Sequence, residues 1–198
     1  YQVLKALLRS VPDIRLDRDH LMVVSPDEGA MSRNMYYASV LGIDLGMFYK
    51  RRDYARVVNG RNPIVAHEYL GDSVEGKDVF IADDIISSGE SMLEVARELK
   101  KRKANRIFAY ATYAIFTNGV DEFEAAYRDG TIAGVFGTNL TYRSPKLLNC
   151  EWFHEVDVSK YIAYFIAAIN HDMSVGAIID PHEKIRQLLA RRASCVIG

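Results

Sequence analysis

The fold follows from one stretch of the chain, Val79-Phe80-Ile81-Ala82-Asp83-Asp84-Ile85-Ile86-Ser87-Ser88-Gly89-Glu90-Ser91. An apolar run ends in two acids, a loop of small residues follows, and a helical pattern begins after it. This order predicts a buried strand that delivers a carboxylate pair and an anion-binding loop to one edge of a sheet. The N-terminus of a helix suits an anion because its first backbone N–H groups lack internal partners and carry partial positive charge.

The residue types in this stretch predict a site for a phosphorylated sugar. Gly89 lets the backbone approach a ligand closely, and hydroxyl donors come from Ser87, Ser88 and Ser91. Asp83 and Asp84 do not bind phosphate directly, but they accept hydrogen bonds from sugar hydroxyls or hold a divalent cation. The alternative is a purely structural role, since a serine before an amphipathic run is a common helix cap.

Composition narrows the class of protein. The 198 residues, 49% of them apolar, suit a single domain over residues 1–198 with a sizeable core. The formal net charge of −1 gives no electrostatic reason to expect nucleic acid or a membrane surface as a partner. The longest apolar run, residues 161–169, is far shorter than the roughly 20 residues of a membrane-spanning helix. Cys150 and Cys195 lack metal-ligand spacing and suggest no disulfide framework, which fits a reducing cytoplasm.

Hydrophobic periodicity predicts an α/β fold with a mostly parallel central sheet flanked by helices. Besides the strand quoted above, strands are expected at residues 21–24, 45–49, 64–70, 106–114, 132–138 and 152–156. Helices are expected at residues 2–8, 31–41, 90–103, 121–129, 159–171 and 181–191. The helix at 159–171 is expected to turn Ile162, Phe165, Ile166 and Ile169 toward the core.

Three junctions between a strand and the following loop are expected to share one edge of the sheet. They carry Asp27, Lys50 and Asp83, and open α/β sheets bind ligands beyond the carboxyl ends of their strands. Lys50-Arg51-Arg52 precedes residues 53–63, which are predicted to form a mobile loop. Cations at this place would stabilise charge on phosphates, whereas the plainer alternative is a solvated basic turn.

Residues 80–91 resemble the phosphoribosyl pyrophosphate (PRPP) binding motif of the type I phosphoribosyltransferase fold. That motif is a hydrophobic strand, two acids, two apolar residues and a loop of small residues. Two positions depart from it, because Glu90 stands where the family usually has glycine and Ser87 where ribose-phosphate pyrophosphokinases usually carry aspartate. Four segments resemble the C-terminal half of the ribose-phosphate pyrophosphokinases, namely Ser25-Pro26-Asp27, Lys50-Arg51-Arg52, residues 108–112 and Ile115-Phe116.

The resemblance implies a magnesium-dependent enzyme of nucleotide biosynthesis that transfers the diphosphoryl group of ATP to the 1-hydroxyl of ribose 5-phosphate, giving PRPP and AMP. It implies that Lys50 and Arg52 are catalytic and that Asp27 is a Mg²⁺ ligand. It implies that Asp83, with Asp84 beside it, binds the ribose. The loop for the 5-phosphate would be Ser87, Ser88, Gly89, Glu90 and Ser91. The implied partners are ribose 5-phosphate or PRPP, ATP, and further copies of the chain in a homo-oligomer.

The family's full chain is markedly longer, and its N-terminal half supplies most of the ATP contacts. We therefore expect this chain to bind the sugar phosphate without completing the transfer alone. One alternative is a PRPP-consuming phosphoribosyltransferase, although the sequence offers no clear hood for a base. A second alternative is a non-catalytic regulatory subunit, which Glu90 and the missing half favour and which the intact Lys50, Arg52, Asp83 and Asp84 oppose.

Overall fold

The structure is a computed structural model that describes residues 1–52 and 64–196 of the chain. The strands are β1 Leu21–Ser25, β2 Leu45–Arg52, β3 Ile64–Leu70, β4 Asp78–Ile86, β5 Ile107–Ala114, β6 Gly134–Thr138 and β7 Phe153–Val156. The helices are α1 Gln2–Ser10, α2 Met31–Leu41, α3 Glu90–Lys101, α4 Asp121–Arg128, α5 Pro145–Leu148, α6 Ser159–Asn170, α7 Gly176–Ile179 and α8 His182–Val196. Every predicted strand and helix is present, with ends that differ by at most five residues, and the short helices α5 and α7 were not predicted.

The strands form one sheet in the order β3-β2-β1-β4-β5-β6-β7. Neighbouring strands are parallel except β2 and β3, which run antiparallel. The predicted α/β fold with a mostly parallel sheet is therefore confirmed. The direction of β3 is the exception, and it occurs at the edge, where mixed sheets commonly carry an antiparallel strand.

Apolar side chains fill both faces of the sheet, which is why its central strands read as continuous apolar runs. On one face Met22 and Ile81 pack with α3 and α4. On the other face Val23 and Phe80 pack with α1 and α2. Consecutive residues of β1 and β4 thus serve opposite cores, and both cores hold the carboxyl ends of these two strands in place.

Strand β4 continues through the two acids instead of ending at them. Asp83 pairs with Ala111 of β5, and Ile86 pairs with Ala114. The backbone at Asp83 and Asp84 is therefore fixed by the ladder of the sheet. The loop that follows is correspondingly short, since α3 begins at Glu90.

The prediction for α6 is wrong in one respect. Ile162, Ile166 and Ile169 are 42%, 63% and 68% exposed, and Ala168 is the buried residue of this helix. Because α6 is apolar around most of its circumference, its pattern does not select one face, and the helix follows β7 at the edge of the sheet. Within residues 1–52 and 64–196, no helix has the length and apolar character needed to cross a membrane.

The turn between β4 and α3 depends on Gly89. Its φ of +91° lies in the left-handed region, and a Cβ added there would overlap the ring of Phe123. Phe123 stacks on Trp152 with ring centroids 5.6 Å apart and meets Phe116 edge-on at 4.9 Å. Glycine is therefore required both by the backbone conformation and by a packed aromatic cluster.

We expect Gly89→Ala to lower the free energy of unfolding by about 2–4 kcal/mol. A left-handed conformation costs a non-glycine residue about 1–2 kcal/mol, and overpacking against a buried ring adds about 1–3 kcal/mol. Urea unfolding followed by circular dichroism measures the change. The matched control is Gly130→Ala, where φ is +77° and nothing lies within 4 Å of an added Cβ. Equal losses in both variants would mean that the contact with Phe123 is unimportant.

Candidate functional site

The site lies where the order of strands changes direction. From β1 the chain proceeds to β2 on one side and later returns to place β4 on the other side. The carboxyl ends of β1, β2 and β4 share one edge because these strands are parallel. Open α/β sheets bind ligands in the crevice at such a switch point. The predicted meeting of the Asp27, Lys50 and Asp83 junctions at one edge is thus seen in the backbone.

Asp27 is held in a tight turn directly after β1. The hydroxyl of Ser25 donates to the backbone oxygen of Asp27 at 2.7 Å, and Asp27 Oδ1 accepts from the N–H of Ala30 at 3.0 Å. In the described part of the chain, no group of three or more histidine, cysteine or acidic residues is arranged to hold a metal ion. A single carboxylate is nevertheless a suitable protein ligand for Mg²⁺, which usually keeps several waters and also binds substrate phosphates.

Asp83 and Asp84 differ in their exposure to solvent. The side chain of Asp83 is 25% exposed, whereas Asp84 is exposed. The N–H of Asp84 donates to Asp83 Oδ1 at 2.8 Å. Arg33 Nη1 of α2 lies 3.7 Å from the same oxygen, which is a loose ion pair. The acid pair therefore combines one sheltered carboxylate with one in contact with water.

Burial raises the pKa of Asp83 to about 6, and the negative charges of Asp27 and Asp84 add to the rise. The backbone N–H of Asp84 opposes it by stabilising the ionised form. The influence of Asp27 indicates that the acids after β1 and within β4 act on each other through space. A ligand that brings hydroxyl donors or a cation to this crevice would relieve the repulsion among these acids.

The loop from Ser87 to Ser91 offers backbone donors. Gly89 occupies the capping position of α3, and no side chain caps this helix. In the described part of the chain, the N–H groups of Ser87, Ser88, Gly89, Glu90 and Ser91 have no hydrogen-bond acceptor. The loop is held from outside, because Thr117 N–H donates to Ser87 O at 2.9 Å. Free donors on a fixed loop at a helix N-terminus are suited to an anion.

The two departures from the motif are both at the surface. Glu90 is exposed at the first position of α3, where an acid suits the helix dipole. Ser87 is exposed and Ser88 half-buried. The negative charge of Glu90 therefore lies in water, where it is screened, although Glu90 belongs to the loop predicted to bind an anion.

For the basic residues Lys50-Arg51-Arg52 the structure describes only the backbone. Lys50 and Arg52 belong to β2, where they pair with His67 and Ile64 of β3. Their side chains, and the whole of residues 53–63 predicted as a mobile loop, lie outside the described residues. The catalytic roles of Lys50 and Arg52 stay predictions.

Asn34 of α2 is a site residue that the sequence reasoning missed. It is completely buried, and its amide binds both the N–H and the C=O of Ala82, the residue before Asp83. A signal was present, because Asn34 is three and four positions before Tyr37 and Ala38, which face the core. A polar residue on a core-facing stripe needs hydrogen-bond partners inside the fold.

A separate cavity of about 250 Å³ lies beside the end of β7, away from the switch point. It is lined by Gln2, Lys5, Ala6, Arg9, Glu155, Val156, Asp157 and Lys160. Its two acids already have partners, since Glu155 lies 2.8 Å from Arg143 and Asp157 accepts from Asn139 at 2.8 Å. None of the predicted site residues takes part in this cavity.

Comparison with known proteins gives a family and relatives that match most of the chain. The phosphoribosyl transferase domain family matches residues 3–126. A ribose-phosphate pyrophosphokinase from Vibrio parahaemolyticus is 34% identical over 164 residues, covering 82% of this chain and 49% of the relative. One from Neisseria meningitidis is 31% identical over 169 residues, covering 85% of this chain and 49% of the relative. The chain thus spans about half the length of the curated relatives it matches.

A solved structure has a similar fold. The crystal structure of phosphoribosylpyrophosphate synthetase from Mycobacterium smegmatis has a TM-score of 0.67 at 20% identity, over 86% of this chain and 51% of that chain. The likeness at this identity concerns the fold. The matched residues 3–126 include Asp27, the acids of β4 and the loop before α3. The chain belongs to the phosphoribosyl transferase domain family.

Proposed function

We propose that this chain is the sugar-phosphate-binding part, a single domain over residues 1–198, of a ribose-phosphate pyrophosphokinase. Such an enzyme transfers the diphosphoryl group of ATP to the 1-hydroxyl of ribose 5-phosphate and releases PRPP and AMP. The observation that carries the proposal is the placement of the N–H groups at Ser87–Ser91, which have no acceptor among the described residues, shortly after Asp83 and Asp84. The loop N–H groups suit the phosphate of a ribose phosphate, and the two carboxylates suit its ribose hydroxyls. The similarity to proteins named ribose-phosphate pyrophosphokinase supports the same reaction.

Each half of the sugar phosphate has its own binding group in this proposal. The 5-phosphate accepts hydrogen bonds from the loop N–H groups and from the hydroxyls of Ser87, Ser88 and Ser91, and Gly89 gives the backbone close access. The ribose hydroxyls donate to Asp83 and Asp84. These donors stabilise the ionised form of Asp83 that burial disfavours, so binding offsets an unfavourable feature of the free protein.

The transfer itself needs positive charge near the diphosphoryl group. Asp27 is the residue that would hold Mg²⁺, which when bound neutralises charge on the phosphates. Lys50 and Arg52 are the proposed catalytic residues, because cations placed where charge develops are the main help that such a transfer receives. The backbone position of both residues near the carboxyl end of β2, next to β1, supports this role.

The remaining partners are expectations of the family resemblance. We propose that ATP binds mainly to the part of the longer relatives that this chain does not span, so that the chain alone produces no AMP. Homo-oligomer formation and a cytoplasmic location belong to the same proposal. A non-catalytic regulatory subunit is the second candidate, and the acid Glu90 beside the anion-binding loop favours it. Release of AMP by the pure chain would contradict the division of labour proposed here.

We expect calorimetric titration to detect binding of ribose 5-phosphate and of PRPP to the native chain. The double variant Asp83→Asn, Asp84→Asn should bind both ligands with an affinity at least about tenfold lower. The loss arises because an amide is a weaker acceptor for hydroxyl donors than a carboxylate. The control is Asp172→Asn at an exposed turn with a φ of +52°, which asparagine tolerates. Undiminished binding by the double variant would place the ribose elsewhere, and absence of binding by the native chain would overturn the proposed function.

Ionisation of Asp83 alone should raise the affinity for ribose 5-phosphate by about tenfold between pH 5 and pH 8. With a pKa of about 6, Asp83 is mostly protonated at pH 5 and ionised at pH 8, and the ionised form is the better acceptor. The second ionisation of a phosphate monoester also falls near pH 6. Asp83→Asn keeps that contribution, so the difference between the two titrations isolates Asp83. Identical pH profiles for both proteins would exclude its ionisation from binding.

Asp83 should reduce stability at neutral and higher pH. A carboxyl whose pKa is raised in the folded state contributes most below its unfolded pKa, and the contribution is lost as pH rises through about 6. Asp83→Asn is therefore expected to stabilise the free protein by about 1–2 kcal/mol at pH 8 and by much less at pH 4. Thermal unfolding at the two pH values measures this, and a variant that is less stable at pH 8 would contradict it.

A further inference from the structure

Asn34 makes an unusual set of contacts for a helical side chain. It is 0% exposed on α2, and its Nδ2 group lies 2.7 Å from Ala82 O, 2.9 Å from Ala30 O and 3.3 Å from Ser25 Oγ. Its Oδ1 accepts from the N–H of Ala82 at 3.0 Å. The amide is thus fully engaged, with both of its ends on one backbone residue of β4. A buried amide retained with all its partners is a fixed connection between elements.

The Asn34 amide supplies hydrogen bonds to β4 at the point where β1 stops pairing with it. The last pair between the two strands is Val24 with Ile81. One step further, Ser25 still pairs with Met47 of β2, but Ala82 pairs with the side chain of Asn34 instead of with β1. A side-chain amide is chemically a peptide group, so it offers the donor and acceptor that a strand would offer. Asn34 thereby lets β1 and β4 separate without leaving buried backbone groups unpaired.

The same side chain joins the two acidic segments of the site. Its partner Ser25 donates to the backbone oxygen of Asp27, and its partner Ala82 immediately precedes Asp83. A single chain of hydrogen bonds therefore runs from the backbone of Asp27 to Ala82, the residue before the acid in β4. Both acids are fixed relative to α2, although neither binds Asn34 directly.

We infer that Asn34 is a positioning residue for ribose recognition, and that it sets the distance between the Asp27 segment and Asp83 by replacing a strand at the switch point. The inference rests on the proposed function, since it assigns a role within that same ribose site. The loop from Ser87 to Ser91 is held separately, through Thr117 and Gly89. Asn34 therefore acts on the ribose end of the ligand and not on the phosphate end.

Because the ribose and phosphate ends of the ligand bind different groups, a positioning role of Asn34 can be distinguished from a merely structural one. The affinities of ribose 5-phosphate and of inorganic phosphate are measured by calorimetry in the native chain and in Asn34→Ala. We expect the ratio of the two affinities to fall by about tenfold in Asn34→Ala, because ribose contacts are lost while phosphate still binds the loop. A ratio that stays unchanged, with both affinities lowered or both retained, would overturn the inference.

The matched control is Ala38→Gly, one turn further along the same buried face of α2. Ala38 is 5% exposed, and glycine in a helix interior weakens the helix without touching Ala82. It should reduce stability while leaving the affinity ratio at the native value. An equal fall of the ratio in this control would assign the effect to loosening of α2 and not to Asn34.

A measurement on the native chain covers the case in which Asn34→Ala does not fold. Amide hydrogen exchange at Ala82 should be as slow as in the centre of the sheet, because its N–H is bound to Asn34 on the side that β1 leaves open. Rapid exchange at Ala82 would overturn the inference without any variant. If the native chain binds ribose 5-phosphate no better than phosphate, the proposed function fails. If it does discriminate and Asn34→Ala discriminates equally, the inference alone fails.

Discussion

The structure depends on the point at which β1 and β4 stop pairing. Up to Val24 and Ile81 the two strands form an ordinary parallel ladder, and one residue later they part. Parting opens a crevice in the centre of the sheet, but it also exposes the backbone of Ala82 to an environment without water. The amide of Asn34 resolves this conflict, so the crevice exists at a small cost in unpaired polar groups. Two residues of the proposed site are next to this point along the chain, because Asp27 follows the end of β1 and Asp83 follows Ala82.

The charge of Asp83 at the switch point lowers the stability of the free protein. Asp83 is sheltered from water and close enough to other acids for its pKa to rise to about 6. Arg33, at 3.7 Å, compensates this charge only loosely. Such an arrangement is unfavourable in isolation and becomes favourable when a ligand supplies hydroxyl donors or a bound cation. Groups with strongly shifted pKa values and incompletely compensated charge are typical of binding and catalytic sites.

Much of the fold could be predicted from sequence because its signals are local. The apolar run before Asp83, the small residues around Gly89 and the period of α3 each report on their own element, and parallel pairing follows from their alternation. The direction of β3 and the exposure of Ile166 could not be predicted, since they depend on the edge of the sheet and not on a period. The role of Asn34 depends on a residue 48 positions away, which no local pattern encodes. The catalytic roles of Lys50 and Arg52 are still predictions.

The packing of Gly89 on Phe123 links the loop after β4 to the tryptophan fluorescence of the protein. Phe123 stacks on Trp152, which is the single tryptophan of the chain, and the indole N–H donates to Glu124 at 2.8 Å. The indole of Trp152 is buried and stacks on a ring that lies against Gly89 in the loop from Ser87 to Ser91. A shift in the backbone at Gly89 would displace the ring of Phe123 and so change the surroundings of the indole. The fluorescence of Trp152 is therefore expected to respond to a change at Gly89 without any added label.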